Sequence, residues 1–219
     1  MTMLIPDAEH DDLHLSERPL IVCDIDEVVL EFVTPFMAYL DHNGHELRAT
    51  SFRLHGNVFS RADGSETPGE TVSQMLEAFF EAQDAWQTPV IAAADSLARL
   101  STQADIVFLT AMPPRHRGQR RTLLSRHGFD YPMIATEQPK GPAVLALHGE
   151  RRQPVVFIDD IFVNLQSVRS HVPDTLLVNL MANETFRALA PHPGDGVEIA
   201  TDWAHAEALI KAHIDAGAG

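Results

Sequence analysis

The sequence predicts an α/β protein: an open, Rossmann-like parallel sheet flanked by helices, carrying a small, mostly helical insertion. Three observations predict it. Short apolar runs recur along the chain and read as buried strands. Amphipathic helical patterns separate most of those runs. The first two runs stand about 80 residues apart, far more than one strand-to-helix connection needs, so a segment is inserted between them.

The predicted strands are Leu20–Ile25, Ile106–Leu109, Pro132–Ala135, Val155–Ile158 and Leu176–Leu180. Helical spacing follows them. Pro114–His127 puts Leu123 and Leu124 on one side and arginines on the other. Gly141–His148 shows Val144, Leu145 and Leu147, and Ile161–Ser170 shows Leu165 and Val168. Thr201–Ile214 shows Trp203, Leu209 and Ile210. Strands alternating with helices imply right-handed crossovers.

Within the insertion, Glu31–Asp41 and Thr71–Gln83 read as helices. Leu47–Val58 has the partial alternation of a hairpin, and Ala62–Ser65 reads as a turn. Pro89–Leu100 is the helix that feeds back into the sheet. The chain thus divides into an acidic tail (1–17), a core (18–32 and 91–219) and an inserted cap (33–90). In the tail, His10 and His14 have a spacing that can hold a metal on a helix. With nothing nearby to order it, the tail is expected to be mobile and solvated.

Of 219 residues, 45% are apolar and 21% charged, which permits a sizeable core. The net charge of -15 repels phosphate polymers and argues against nucleic-acid and anionic-membrane partners. It permits a small phosphorylated metabolite, because a local pocket can invert the average field. The single cysteine, Cys23, lies in an apolar run and is expected to be buried and unreactive. The N-terminus lacks the basic start and apolar stretch of a secretion signal, and no run approaches the roughly 20 residues that span a bilayer. A cytoplasmic location is expected. The sequence leaves the oligomeric state open.

Chemistry concentrates at strand ends. Asp24 and Asp26 follow the run Leu20–Cys23, and Asp159 and Asp160 follow Val155–Ile158. In open α/β sheets, ligands bind beyond the carboxyl ends of the strands. Carboxylates that close are costly unless a cation neutralises them, and Mg²⁺ suits an all-oxygen set. One such pair could be a helix cap; two on neighbouring strands point to a metal site. Thr110 ends the strand Ile106–Leu109, and its hydroxyl with the Ala111 amide could hold a phosphate oxygen. Lys140, ahead of Gly141, could neutralise a phosphate and shield the carboxylates.

The order Asp24-x-Asp26-x-Val28, Thr110, Lys140, then Asp159-Asp160 with Asn164, resembles the haloacid dehalogenase-like hydrolase superfamily. The resemblance runs from Pro19 to about Leu180, outside the insertion. It implies that Asp24 is a nucleophile forming an aspartyl-phosphate. Asp26 would be the general acid and base, with its backbone carbonyl on Mg²⁺. Asp160 would be a direct metal ligand, and Asp159 would lie beside the metal or just behind it. Asn164 would orient Asp160 or a metal-bound water. Thr110, Ala111 and Lys140 would bind the phosphoryl group. The second aspartate favours phosphate esters over carbon–halogen bonds. The expected enzyme is therefore an Mg²⁺-dependent phosphatase acting on a small phosphomonoester.

Two alternatives stay open. One is a phosphotransferase or mutase of the same superfamily. The other is a phosphate-sensing module without turnover, although the Asp24–Asp26 spacing and the insertion differ from receiver domains. Glu27 stands where many members of the superfamily carry glycine or another small residue. Glu27, Arg53, His55 and Asn57 are polar candidates for specificity, each expected to be solvated. Arg115, Arg117, Arg120, Arg121 and Arg126 form the one basic cluster, expected to be the solvated face of a helix.

Overall fold

The structure, a computed structural model, describes residues 9–10 and 13–217. Strands β1 (Glu9–His10), β2 (Leu20–Cys23), β5 (Asp105–Thr110), β6 (Met133–Ala135), β7 (Val155–Asp159), β8 (Leu176–Leu180) and β9 (Val197–Ala200) form one sheet. Its order is β1-β6-β5-β2-β7-β8-β9. The β1 strand runs antiparallel to β6; every other neighbouring pair is parallel. The predicted parallel α/β sheet is present.

Helices cover both faces, which is why the central strands read as continuous apolar runs rather than alternating ones. Ile21, Cys23, Phe108 and Ile158 pack on one face, under α4 (Ala93–Leu100) and α9 (Trp203–Gly217). Leu20, Val22, Val107 and Phe157 pack on the other, under α6 (Lys140–His148) and α7 (Phe162–His171). Cys23 is fully buried, as expected, and burial first, then the Asp24 charge, push its thiol pKa well up.

The segment between β2 and β5 holds α1 (Val33–His42), β3 (His45–Leu47), β4 (Val58–Ser60), α2 (Gly69–Glu81) and α3 (Gln83–Trp86) before α4. It has its own apolar cluster around Phe36, Leu40, Val58, Val72 and Phe79, completed by Met181 and Phe186 from the core. Phe36 and Phe79 meet edge to face, with centroids 5.3 Å apart. The two chain passages joining this segment to the sheet run side by side. Glu31 N–H donates to Thr88 O at 2.9 Å, and Val90 N–H to Val29 O at 2.9 Å.

Several expectations are corrected. The hairpin expected over Leu47–Val58 is present but displaced outward: its strands are β3 and β4, in which Leu47 pairs with Val58. What was read as strand alternation is the loop between them. The tail is not free along its length. The Glu9–His10 backbone pairs with β6, and Leu13 and Leu15 pack on the core beneath the sheet. The β9 strand and helix α8 (Glu184–Leu189) have no counterpart in the sequence reading, because β9 is a partly exposed edge strand without an apolar run. Residues 1–8, 11, 12, 218 and 219 and the His10 side chain, and with it the expected His10–His14 metal spacing, lie outside the described residues. Among the described residues, no helix is long and apolar enough to cross a membrane.

Candidate active site

Sheet register fixes the site. Cys23 pairs with Phe108 on one side and Ile158 on the other. One residue later Asp24 leaves β2, its N–H donating to Ile158 O at 2.9 Å. Asp159 ends β7 and Thr110 ends β5. The chemistry-bearing residues therefore gather where three adjacent strands end, at the carboxyl edge.

Lys140, the first residue of α6, is fully buried between two carboxylates. Its Nζ lies 2.6 Å from Asp24 Oδ1 and 2.6 Å from Asp159 Oδ2. Gly141 permits this placement. A Cβ there would fall 2.4 Å from Ser167 O, so a larger residue would push α6 off α7. Burial opposes the charge on Lys140, but Asp159 and Asp24 outweigh it and raise its pKa. Burial likewise pushes Asp24 up to about 7; Lys140 works against the rise, and Asp159 and Asp26 add to it. Asp160 is raised well above the ordinary carboxylate value by burial, then by Asp159 and Asp24.

One oxygen each from Asp24, Asp159 and Asp160 lie within 4.8 Å of one another. Three carboxylates face a single lysine, a deficit of positive charge that a divalent cation would fill. The donors are all oxygen, which fits Mg²⁺. Their roles differ. Asp159 is saturated: Oδ1 accepts from Ile161 N and Asn164 Nδ2, and Oδ2 from Lys140 and Asn164. Among the described residues no donor reaches the carboxylate of Asp160. Asp160, with the free oxygen of Asp24, is thus open to a cation, and Asp159 stands behind them. Asn164, expected to orient Asp160 or a metal-bound water, directs its amide nitrogen to Asp159 and not to Asp160, because the first turn of α7 folds back over the end of β7.

Asn179 escaped the sequence reading. From β8, its Nδ2 donates to the carbonyls of Asp159 (3.1 Å) and Asp160 (3.0 Å) and so fixes the double-aspartate turn. An isolated Asn inside an apolar strand was the available signal.

The Asp26 carboxylate stands apart from the three others. Gln87 Nε2 donates to Asp26 Oδ1 at 2.8 Å, and Arg120 Nη1 lies 3.0 Å from the same oxygen. Arg120 also donates to Gln83 Oε1 and Gln87 Oε1. This corrects the expected solvated arginine face. Arg120 is fully buried, because α3 of the inserted segment packs on α5 (Arg117–Arg126) and brings Gln83 and Gln87 to it. Arg121 is bound to the Tyr131 and Phe129 carbonyls, and Arg115 pairs with Glu77.

Glu27 is another correction. It is buried, with φ 64, a left-handed conformation that favours glycine. Its carboxylate compensates. Oε1 accepts from the N–H groups of Phe32 and Val33 at the start of α1, and Oε2 from Asn183 N. Burial raises its pKa and these bonds oppose the rise. Trp203 Nε1 donates to Val28 O at 2.7 Å and pins the same loop from the far side. Asn57 is also buried and ties its own loop together, whereas Arg53 and His55 are exposed.

A cavity of about 330 Å³ opens above Asp24, Asp26 and Asp160. Thr110 and Ala111 line it; Thr110 Oγ1 accepts from Met112 N at 3.1 Å, which orients the hydroxyl.

No protein-family model matches the chain. No curated protein matches it. Solved structures do. A haloacid dehalogenase-like family hydrolase from Streptococcus pneumoniae is 13% identical, over 89% of this chain and 99% of that one, with a TM-score of 0.55. A candidate beta-phosphoglucomutase from Thermotoga maritima has 13% identity, the same coverages and a TM-score of 0.57. A haloacid dehalogenase family hydrolase from Deinococcus radiodurans, solved with bound phosphate and sodium, has 14% identity over 89% of this chain and 95% of that one, with a TM-score of 0.56. The chain has the haloacid dehalogenase-like hydrolase fold.

Proposed function

We propose that the protein is an Mg²⁺-dependent phosphatase of small phosphomonoesters, working through an aspartyl-phosphate on Asp24. The observation that carries the reading is the buried set Asp24–Lys140–Asp159 beside the unbonded Asp160, at the carboxyl ends of β2 and β7. Nucleophile, charge-neutralising lysine and cation-binding carboxylates are what phosphoryl transfer demands.

In the first step an Asp24 oxygen attacks phosphorus. The bond from phosphorus to the ester oxygen breaks, and Asp26 gives that oxygen a proton. In the second, water attacks the aspartyl-phosphate, passes its proton to Asp26, and frees inorganic phosphate and the Asp24 carboxylate. Arg120 and Gln87 both hold Asp26 Oδ1, which leaves Oδ2 to carry the proton. Thr110 and Lys140 meet the phosphoryl oxygens. Bound at Asp24 and Asp160, with the Asp26 carbonyl as a further ligand, Mg²⁺ would neutralise phosphoryl charge. The inserted segment 33–90 serves as a cap that excludes water.

The test is phosphate release from p-nitrophenyl phosphate with and without Mg²⁺. Asp24→Asn is expected to abolish it, and undiminished release would sink the nucleophile assignment. One structural neighbour is a candidate mutase, so the same assay with added sugar acceptors separates transfer from hydrolysis.

A further inference from the structure

The apolar part of the cavity lining has a chemistry of its own. Phe32, Phe52, Phe80, Met112, Met181 and Phe186 line it. They come from five places: the passage out of β2, the loop between β3 and β4, helix α2, the segment after β5, and the stretch from the end of β8 into α8. Two aromatic pairs form there, Phe32 with Phe80 (centroids 5.9 Å apart) and Phe52 with Phe186 (6.2 Å).

The polar side chains of this wall are already engaged. Both oxygens of Glu27 accept backbone N–H groups. The Asn164 amide nitrogen donates to both oxygens of Asp159. Apart from Asp160, Arg53 is the charged residue of the lining whose side chain has no polar partner among the described residues. Its guanidinium has N–H donors and no acceptor, so it can meet an anionic group or the oxygen of a hydroxyl but cannot accept a hydroxyl proton. The loop that presents Phe52 and Arg53 is held in place, because Asn57 Nδ2 donates to Ser51 Oγ at 2.8 Å and to Arg53 O at 2.8 Å.

A sugar or polyol phosphate entering here would find fewer partners than it has hydroxyls, and a site that leaves buried polar groups unpaired disfavours them. We propose that the ester taken by this site has an apolar alcohol part, aryl or branched alkyl, rather than a sugar or polyol. The proposal rests on the phosphatase reading of the same site. A cavity of about 330 Å³ accommodates such a group beside the phosphate.

The experiment uses the full chain with Mg²⁺ and two primary alkyl esters with like leaving groups, 2-phenylethyl phosphate and glycerol 3-phosphate. The expected result is a kcat/KM for the phenylethyl ester at least about tenfold higher. Phe52→Ala is expected to shrink that ratio, and Phe52→Leu to retain most of it, with thermal unfolding checking that both variants fold. Equal rates, or a preference for the glycerol ester, would overturn the apolar assignment while the hydrolysis itself stands. Hydrolysis of neither ester would count against the phosphatase reading. Calorimetry with the matching non-hydrolysable phosphonates then decides the pocket separately: tighter binding of the phenylethyl compound supports the assignment, and equal or weaker binding overturns it.

Discussion

Arg120 Nη1 lies 3.0 Å from Asp26 Oδ1, a fully buried guanidinium facing a carboxylate that is 20% exposed. The two residues are far apart in sequence, and the inserted segment supplies Gln83 and Gln87 to complete the contact. Asp26 is thus held by a group that also reports where the insertion sits.

Arg120→Met keeps much of the buried stem and removes the charge. It leaves Asp26 without its ion-pair partner and Gln83 and Gln87 each short of a donor. Stability is expected to fall by about 2–4 kcal/mol, read from urea midpoints. Arg120→Lys should recover less than half of that, because an ammonium cannot reach three acceptors with the guanidinium fork. An unchanged midpoint in the Met variant would show that the contact does not hold the two parts together.

Lys140→Met leaves Asp24 and Asp159 buried without their cation. Phosphate release is expected to disappear, and the metal-free protein to lose about 3–5 kcal/mol. The loss should be greater at pH 8 than at pH 5, since at the lower pH Asp24 escapes by holding a proton. Equal losses at both values would argue against charge burial as the cause.

Asp24 itself sets a pH dependence. Its pKa is raised to about 7 in the fold, mainly by burial, from an ordinary carboxylate value. Between about 4 and 7 the folded protein holds a proton that the unfolded chain has released, so stability falls as pH rises through this window. Thermal unfolding of metal-free protein should show this decline. Added Mg²⁺ is expected to raise Tm more at pH 8 than at pH 5, because the cation competes with that proton. A Tm insensitive to Mg²⁺ at pH 8 would remove the cation from the proposal.

Asn179→Ala frees the double-aspartate turn without touching a carboxylate. Residues that orient metal ligands typically cost about 10- to 100-fold in affinity when removed, and Mg²⁺ titration by calorimetry should show a loss in that range. Asn164→Ala should act in the same direction through Asp159.

Glu207 provides a contrast far from the site. Its pKa is lowered to about 2 by hydrogen bonds from Arg99, against burial, and from Lys211 and Ser96; the bonds from Arg99 and Ser96 tie α9 to α4. Its contribution is present above about 4.5 and is lost as pH falls through about 2. The stability gap between the wild type and Glu207→Gln should therefore close on acidification over that window, and a constant gap would show that the carboxylate charge is not what the contact uses.

The legible part of the site is the part written at strand ends. Asp24, Thr110 and Asp159-Asp160 each follow an apolar run, and parallel register carries them to one edge without further information. Lys140 was legible by its place before Gly141, whose missing Cβ the packing of α6 on α7 requires. Asn179 was not, since a polar residue within an apolar strand has no local signature of its partner. Glu27 and Arg120 were misread as solvated because single-residue tendencies put charges outside.

By itself the sequence determined the sheet class, the inserted segment, and the carboxylate, threonine and lysine set, because each depends on local periodicity or on residues adjoining a strand end. Only the tertiary structure decided that Asp159 is saturated while Asp160 is open, that Glu27 caps α1 from a left-handed turn, and that Arg120 is buried against Asp26. Those outcomes depend on groups from separate elements meeting in a low-dielectric interior, where a charge or N–H must find a partner, and the partner's identity is set by packing rather than by neighbours in the chain.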